Sequence, residues 1–420
     1  MAHYTEDYQV LRNIGGGGHA RVEKVRHRKW GYIRALKILL SSVKGGEEDK
    51  AFQAFVQECG MLLKIGNGGN NHIVRIYQPH LYDQDAVVEM DYIEGCTLTE
   101  YLQQEKFLPI EEVYRFIREI GGALAYCHVD IYRFLMDRKE DHLMPDPEDG
   151  SKVMIDEEKK KELIHKYGII HNDLHSSNIM RRSYDGSYIL LDFGISIQGD
   201  VAVKKSSRGE GDPEYKAPEK WDDESLITAQ SDVYSFGVLM YEALAGSVPF
   251  AYSREDFSSE MSAINHIYEQ HKLATPDPIE GRRAAAWALR YPDQPYKRDF
   301  PVWLEKMILK CLSKNPVERY ANARELIDDF EEHLKKESAS APAPAATDTE
   351  TSLNPVLFRA RFQGEIDRLK GQNATLESEN AALREELTKV RSEADDLREE
   401  VALLGSNYSH AKSFILNNKK

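Results

Sequence analysis

The chain is 420 residues long, enough for about two to three folding units with sizeable cores. Its 55 Lys and Arg against 70 Asp and Glu leave a formal charge of −15, which argues against a polyanion-binding surface for nucleic acid or anionic lipid. Hydrophobic residues at 41% and charged residues at 30% are values of an ordinary globular protein, and no apolar run reaches the ~18 residues that span a bilayer. The start MAHYTEDYQV shows no secretory signal, and the widely spaced Cys59, Cys96, Cys127 and Cys311 read as reduced thiols. The expectation is a cytoplasmic protein, with the nucleus also open to it, and no integral membrane association.

In chain order, residues from Tyr8 onward begin with short alternating segments, such as Ala86-Val-Val-Glu-Met90, which predict strands. They end in an amphipathic stretch, Ile110 to Cys127, which predicts a helix. The first feature with chemistry in it is Gly15-Gly16-Gly17-Gly18-His19-Ala20-Arg21-Val22, between two strand-like segments. Missing side chains there let backbone N–H groups approach phosphates, although a glycine-rich hairpin gives the same pattern. Lys37 follows in Ala35-Leu36-Lys37-Ile38, a cation in an otherwise apolar strand that needs a carboxylate or a phosphate as partner. Glu58 is a candidate carboxylate, because Phe55, Glu58, Met61, Leu62 and Ile65 recur at helical spacing and put it beside a buried face. A surface lysine and a surface glutamate are the plainer alternative.

Val129 to His165 departs from its surroundings: it is charged, carries Pro145-Asp146-Pro147 and Asp149-Gly150, and ends in Asp156-Glu-Glu-Lys-Lys-Lys161. It is expected to be an inserted surface element, in part helical. Next come Gly168-Ile-Ile-His171-Asn172-Asp173-Leu174-His175-Ser-Ser-Asn178-Ile-Met180 and Ile189-Leu-Leu-Asp192-Phe193-Gly194. They place two carboxylates and an amide on turns beside apolar runs, an arrangement that suits a divalent ion with oxygen ligands and a separate base. Beyond Ile189 the pattern turns mainly helical.

Ser338 to Pro355, with Ala341-Pro-Ala-Pro-Ala-Ala346, is too poor in large apolar groups to pack and reads as a flexible linker. From 356 to 404 a spacing of four and three sets in, with Leu369, Leu376, Leu383, Val390, Leu397 and Leu404 as one row and Asn373 and Asn380 in the other. Paired asparagines at the first heptad position favour two parallel strands. Glu365, Glu379, Glu386 and Glu393 stand five residues before Lys370, Arg384, Arg391 and Arg398, so each pair is attractive in a parallel homodimer through residues 362–404. A lone charged helix is the alternative. A leucine-zipper DNA binder would need a basic helix before the first heptad, and Thr351 to Arg361 supplies only Arg359 and Arg361. Residues 405–420 are a tail.

The His171-x-Asp173 loop with Asn178, followed by Asp192-Phe193-Gly194, resembles the eukaryotic-type protein kinases. The resemblance continues through Gly211-Asp-Pro-Glu-Tyr-Lys-Ala-Pro-Glu219, Ser231-Asp-Val-Tyr-Ser-Phe-Gly237 and Asn315-Pro-Val-Glu-Arg-Tyr320, and covers residues 8–335. It implies an α+β, two-lobed kinase fold, with a small β-rich N-terminal lobe and a large helical C-terminal lobe, ahead of the parallel coiled coil. It implies ATP and Mg2+ as cofactors, protein substrates, and a leaning to serine and threonine from Tyr215 with Pro213-Glu214 ahead of it. Gly15, Gly17 and Ala20 would form the loop over the phosphates, and Lys37 would contact the α- and β-phosphates and pair with Glu58. Adenine would rest between Val22 and Ala35 on one side and Met180 on the other, against the backbone of Asp91 to Ile93, with Met90 behind. Asp173 would take the substrate hydroxyl proton, and Asn178 and Asp192 would hold the metal. Asp232, and Glu219 with Arg319, would be structural.

Three positions depart from the family pattern. Asn172 replaces the usual Arg, His175 the usual Lys, and Asp212 the usual Thr. Without that Arg, activity independent of loop phosphorylation is expected, and His175, counted here with the catalytic candidates, is expected to meet Asp212, which would favour imidazolium. Ser206 and Ser207 are candidate phosphosites, and Glu94 is a candidate selector of basic substrate residues. Two rival readings are a catalytically silent, dimeric nucleotide-binding scaffold and a small-molecule phosphotransferase. The first is opposed by the survival of Lys37, Glu58, Asp173, Asn178 and Asp192, the second by the 211–219 segment and Arg319.

Overall fold

The structure, a computed structural model, describes residues 3–16, 20–40, 48–49, scattered positions from 52 to 65, 70–82, 85–129, 144–145, 153–154, 162, 164, 168–193, 196–198, 201–202, 211–222 and 225–340. The chain divides into two units, Met1–Ser340 and Ala341–Lys420, and every described residue belongs to the first. The expected coiled coil, and the linker beyond Ser340, therefore lie outside the described residues.

A short helix, α1 (Tyr4–Asp7), leads into β1 (Tyr8–Gly16), β2 (Ala20–His27) and β3 (Ile33–Leu39). With β4 (Ile76–Tyr82) and β5 (Asp85–Asp91) they make an antiparallel sheet in the order β1-β2-β3-β5-β4. Alternation along β3 decides what each face carries. Leu36 and Ile38 turn into a small core with Tyr4, Tyr8, Val25 and Val87. Lys37 pairs in register with Val22 and Val88, and Ala35 with Lys24 and Met90. Direct partners share a face, so Val22, Ala35, Lys37 and Met90 lie together on the opposite one.

The described positions between 52 and 65 are helical, and Phe52, Phe55, Cys59 and Ile65 are buried, in keeping with the expected helical run. After β5, residues 92–94 connect to β6 (Gly95–Thr97) and α2 (Leu98–Glu105). A capping box starts α2: Thr97 Oγ1 accepts from Glu100 N–H, and Glu100 Oε2 accepts from Thr97 N–H. The predicted amphipathic helix is α3 (Ile110–Val129), which buries Val113, Phe116, Ile117, Ile120 and Leu124 along one stripe. Within the inserted segment the described residues include a two-stranded pair, β7 (Met144–Pro145) with β8 (Val153–Met154), and helical positions 162 and 164.

The next strands are short: β9 (Ile169–Ile170), β10 (Ile179–Arg182), β11 (Tyr188–Leu190), β12 (Ile197–Gln198), β13 (Val201–Ala202) and β14 (Leu226–Ile227). They pair as β11-β10-β6, β12-β9 and β13-β14, which leaves residues 171–178 as a loop between β9 and β10, and Asp192 just past β11. Helices follow: α4 (Ala229–Ala245), α5 (Glu260–Leu273), α6 (Ile279–Arg290), α7 (Val302–Cys311) and α8 (Ala323–Ser340). Nearly every residue of α4 is buried, as expected of a helix apolar all round that runs through the middle of a core. Helix α8 runs on over the first residues expected in the linker. No helix among the described residues is long and apolar enough to cross a membrane.

Candidate active site

Thr228 caps α4, its Oγ1 accepting from Gln230 N–H, and this sets Asp232 in the first helical turn, where the helix dipole favours a carboxylate. Asp232 is 1% exposed and holds the loop after β9 by its backbone. Its Oδ2 accepts from His171 N–H at 2.6 Å and meets His128 Nε2 at 3.0 Å, and its Oδ1 accepts from Asn172 N–H at 2.8 Å. Burial alone would raise the Asp232 pKa, but His128 and these donors hold it below the usual carboxylate range. The structural role expected for Asp232 is the one observed.

His171 ties this loop to the segment after β11. Its ring Nε2 donates to Leu191 C=O at 2.8 Å, its carbonyl accepts from Ser196 Oγ at 2.9 Å, and its ring lies 4.4 Å from that of Phe193. Burial pushes the imidazole below its ordinary pKa, so it is neutral, with Nδ1 accepting from Asp173 N–H. Asn172 takes φ 68°, a left-handed conformation that asparagine tolerates better than most residues.

Asp173 and Asn178 meet within this loop. Asn178 Nδ2 donates to Asp173 C=O at 3.0 Å and lies 3.4 Å from its Oδ2. His175 Nε2 stands 3.8 Å from the same Oδ2. Burial opposes ionisation of both residues, yet the mutual attraction of Asp173 and His175 keeps the carboxyl below and the imidazole above their ordinary pKa values. The expected His175–Asp212 contact is thereby corrected. Asp173 is the nearer partner and Asp212 adds a longer-range charge that also favours imidazolium, while its Oδ1 accepts from Glu214 N–H as cap of the turn Pro213–Tyr215.

From the sheet, Lys37 Nζ reaches Asp192 Oδ1 at 2.8 Å. Glu58, its expected partner, lies outside the described residues, as do Gly17, Gly194, Ser206 and Ser207. Gly15 and Gly16 pair with Val22 and Arg21, so the described start of the glycine run is a hairpin arm. Ala20 begins the returning strand β2. Met180 on β10 pairs with Thr97 on β6, beside the 92–94 connection, and Asp91 N–H is used by Arg75 C=O. Asp91 also accepts from Tyr77 Oη at 2.9 Å, and Ile93 lies in that connection. Glu94, the candidate substrate selector, pairs with Lys24 at 3.3 Å. Arg319 and Glu219 form the expected buried, two-pronged ion pair, at 2.8 and 2.9 Å.

Two features escaped the sequence reading. Glu242 of α4 is partly buried, and burial pushes its carboxyl up to about 7 while Tyr215 Oη and Ser176 Oγ donate to it at 2.8 and 3.4 Å. Lys220, 6% exposed, donates to Asn172 C=O at 2.5 Å. The only local sign of either was a charge set in an apolar or Pro-rich run. Together the residues from the sheet and from the loop give two carboxylates, an amide, a histidine and lysines around one place, the chemistry of anion binding and proton acceptance.

The family model described as "Protein kinase domain" matches residues 8–156 and 135–330. A probable serine/threonine-protein kinase of Clostridium perfringens is 26% identical over 354 residues, 83% of this chain and 42% of that protein. Serine/threonine-protein kinase PrkC of Bacillus subtilis is 26% identical over 326 residues, 77% of this chain and 40% of that protein. A mitogen-activated protein kinase kinase, MST7, of Pyricularia oryzae is 27% identical over 316 residues, 75% of this chain and 61% of that protein. The chain thus spans about two fifths of the length of the two bacterial relatives.

Proposed function

The chain belongs to the protein kinase domain family, and from that premise we propose that it transfers the γ-phosphate of ATP to serine and threonine hydroxyls of proteins and self-associates through residues 362–404. The observation that carries this reading is the bond from Lys37 to Asp192, which brings a cation of the sheet to a carboxylate beside the loop that holds Asp173 and Asn178.

In this reading Asp173 accepts the substrate hydroxyl proton as the oxygen attacks the γ-phosphorus and the bond to the β-phosphate oxygen breaks, releasing ADP. Its depressed pKa makes it a weak base but a fixed acceptor, which suits a reaction in which orientation matters more than proton affinity. His175 stands beside that carboxylate with a raised pKa, a site for positive charge where phosphate charge gathers. Lys37 draws the α- and β-phosphates toward the sheet face it shares with Val22, Ala35 and Met90. The donor set fits Mg2+: Asp192 is half exposed, and Asn178 turns its Nδ2 to Asp173, leaving a carboxylate and an amide oxygen, hard ligands for a hard cation. When bound there, the metal neutralises phosphate charge.

Support for serine and threonine as targets comes from the relatives, which are named as kinases of that class. Self-association rests on the heptads alone. Phosphoamino-acid analysis tests the activity. Label from γ-labelled Mg-ATP should appear on Ser or Thr of a basic generic protein and be absent with Asp173→Ala. Label on Tyr would overturn the substrate class, and nucleotide binding without transfer would make the chain a scaffold.

A further inference from the structure

Lys220 follows Pro218-Glu219 in a single turn of 3-10 helix, Pro218–Trp221, and is among the few buried cations of the described residues. An ammonium taken out of water needs a strong acceptor close by. One acceptor here is the carbonyl of Asn172, at 2.5 Å. That carbonyl belongs to the peptide whose N–H is Asp173's, and the N–H donates in turn to His171 Nδ1 at 3.3 Å. The preceding N–H, that of Asn172, is held by Asp232. The two peptide groups on either side of the left-handed Asn172 are therefore fixed, one from α4 and one from the Pro218–Trp221 turn. Gly211 closes the same space: at φ 83° it has no side chain, and a Cβ there would stand 3.2 Å from Asp173 Oδ1, 3.9 Å from Asn172 O and 4.0 Å from Lys220 Nζ. The charge of Lys220 also helps to keep the Asp173 carboxyl ionised.

We propose that Lys220 is a positioning residue that couples the seating of the 211–221 segment to the orientation of Asp173, supplying from that segment a cation to a loop that carries Asn172 and His175. The proposal deepens the kinase reading and rests on it. An apolar side chain would fill the volume at position 220 without the desolvation cost. What it would lack is the donor to the Asn172 carbonyl and the charge beside Asp173. A segment displaced from its seat would withdraw both together.

The test compares Lys220→Met and Lys220→Arg with the full chain. In Lys220→Met kcat falls by on the order of 100-fold, the loss expected when a reacting group is mispositioned by about an ångström, while KM for ATP stays within about twofold because no nucleotide contact has been removed. Lys220→Arg, which keeps donor and charge, restores most of the rate. Amide exchange adds a readout independent of activity: peptides covering 171–178 lose protection in Lys220→Met and keep it in Lys220→Arg. The melting temperature of Lys220→Met should fall, since the Asn172 carbonyl loses this donor, and Lys220→Arg should recover it. Should that variant fail to fold, Lys220→Gln takes its place. Wild-type kcat and wild-type exchange in Lys220→Met would overturn the proposal. An inactive wild type would overturn the kinase reading instead, and the exchange comparison would still decide the role of Lys220.

Discussion

Lys37 and Asp192, 155 residues apart in the chain, meet at 2.8 Å as a hydrogen-bonded ion pair. One comes from the third strand of the sheet and the other from the turn after β11, so the pair forms only when sheet and loop are both in place. Groups that act as a unit give non-additive losses. Lys37→Met and Asp192→Asn should each lower phosphoryl transfer, and the double variant should lose far less than the product of the two. Multiplicative losses would separate the two residues functionally.

The Arg319–Glu219 pair is almost wholly enclosed and two-pronged, with Ser231 Oγ donating to the same carboxylate. Removing one partner strands the other. Arg319→Met should cost about 3–5 kcal/mol, read as a lower denaturation midpoint. A change below about 1 kcal/mol, the level of an exposed pair, would mean that water reaches Glu219.

Asn172 holds φ 68° beside Asp173. A left-handed residue with a Cβ costs about 1–2 kcal/mol, less for asparagine, so Asn172→Ala should be less stable than Asn172→Gly when both are compared by denaturant unfolding. The reverse order would place the strain elsewhere.

Glu242 links stability to pH. Burial raises its carboxyl from 4.5 to about 7, so between those values the native state keeps a proton that the unfolded chain has lost. Protons bound by the native state alone make stability fall as pH rises through that window. Glu242→Gln keeps an acceptor for Tyr215 Oη and removes the charge. Its melting temperature relative to wild type should therefore rise from pH 5 to pH 8. Parallel curves would show that Glu242 does not titrate there.

Deleting residues 356–404 should turn a dimer into a monomer by mass measurement, because the paired asparagines and matched charges of that segment favour two parallel strands. A dimer that persists would place self-association in the kinase domain.

Much of this architecture was legible from periodicity. Alternation marked β5 and the amphipathic stripe marked α3, because each element buries one face and both patterns are local. The loop residues Asp173, Asn178 and Asp192 were legible as motifs. What escaped was set by tertiary approach. Lys220 reads as a surface lysine until a chain 48 residues away brings a carbonyl to it. The nearer partner of His175 is Asp173, two residues before it, which the motif alone did not mark.

The most direct test of the central claim is single-turnover transfer from Mg-ATP by wild type and by Asp173→Asn, with nucleotide affinity measured alongside. The account predicts a rate lower by about 100-fold or more in the variant, the usual contribution of a positioned proton acceptor, at unchanged nucleotide affinity. Equal rates in the two proteins would contradict it.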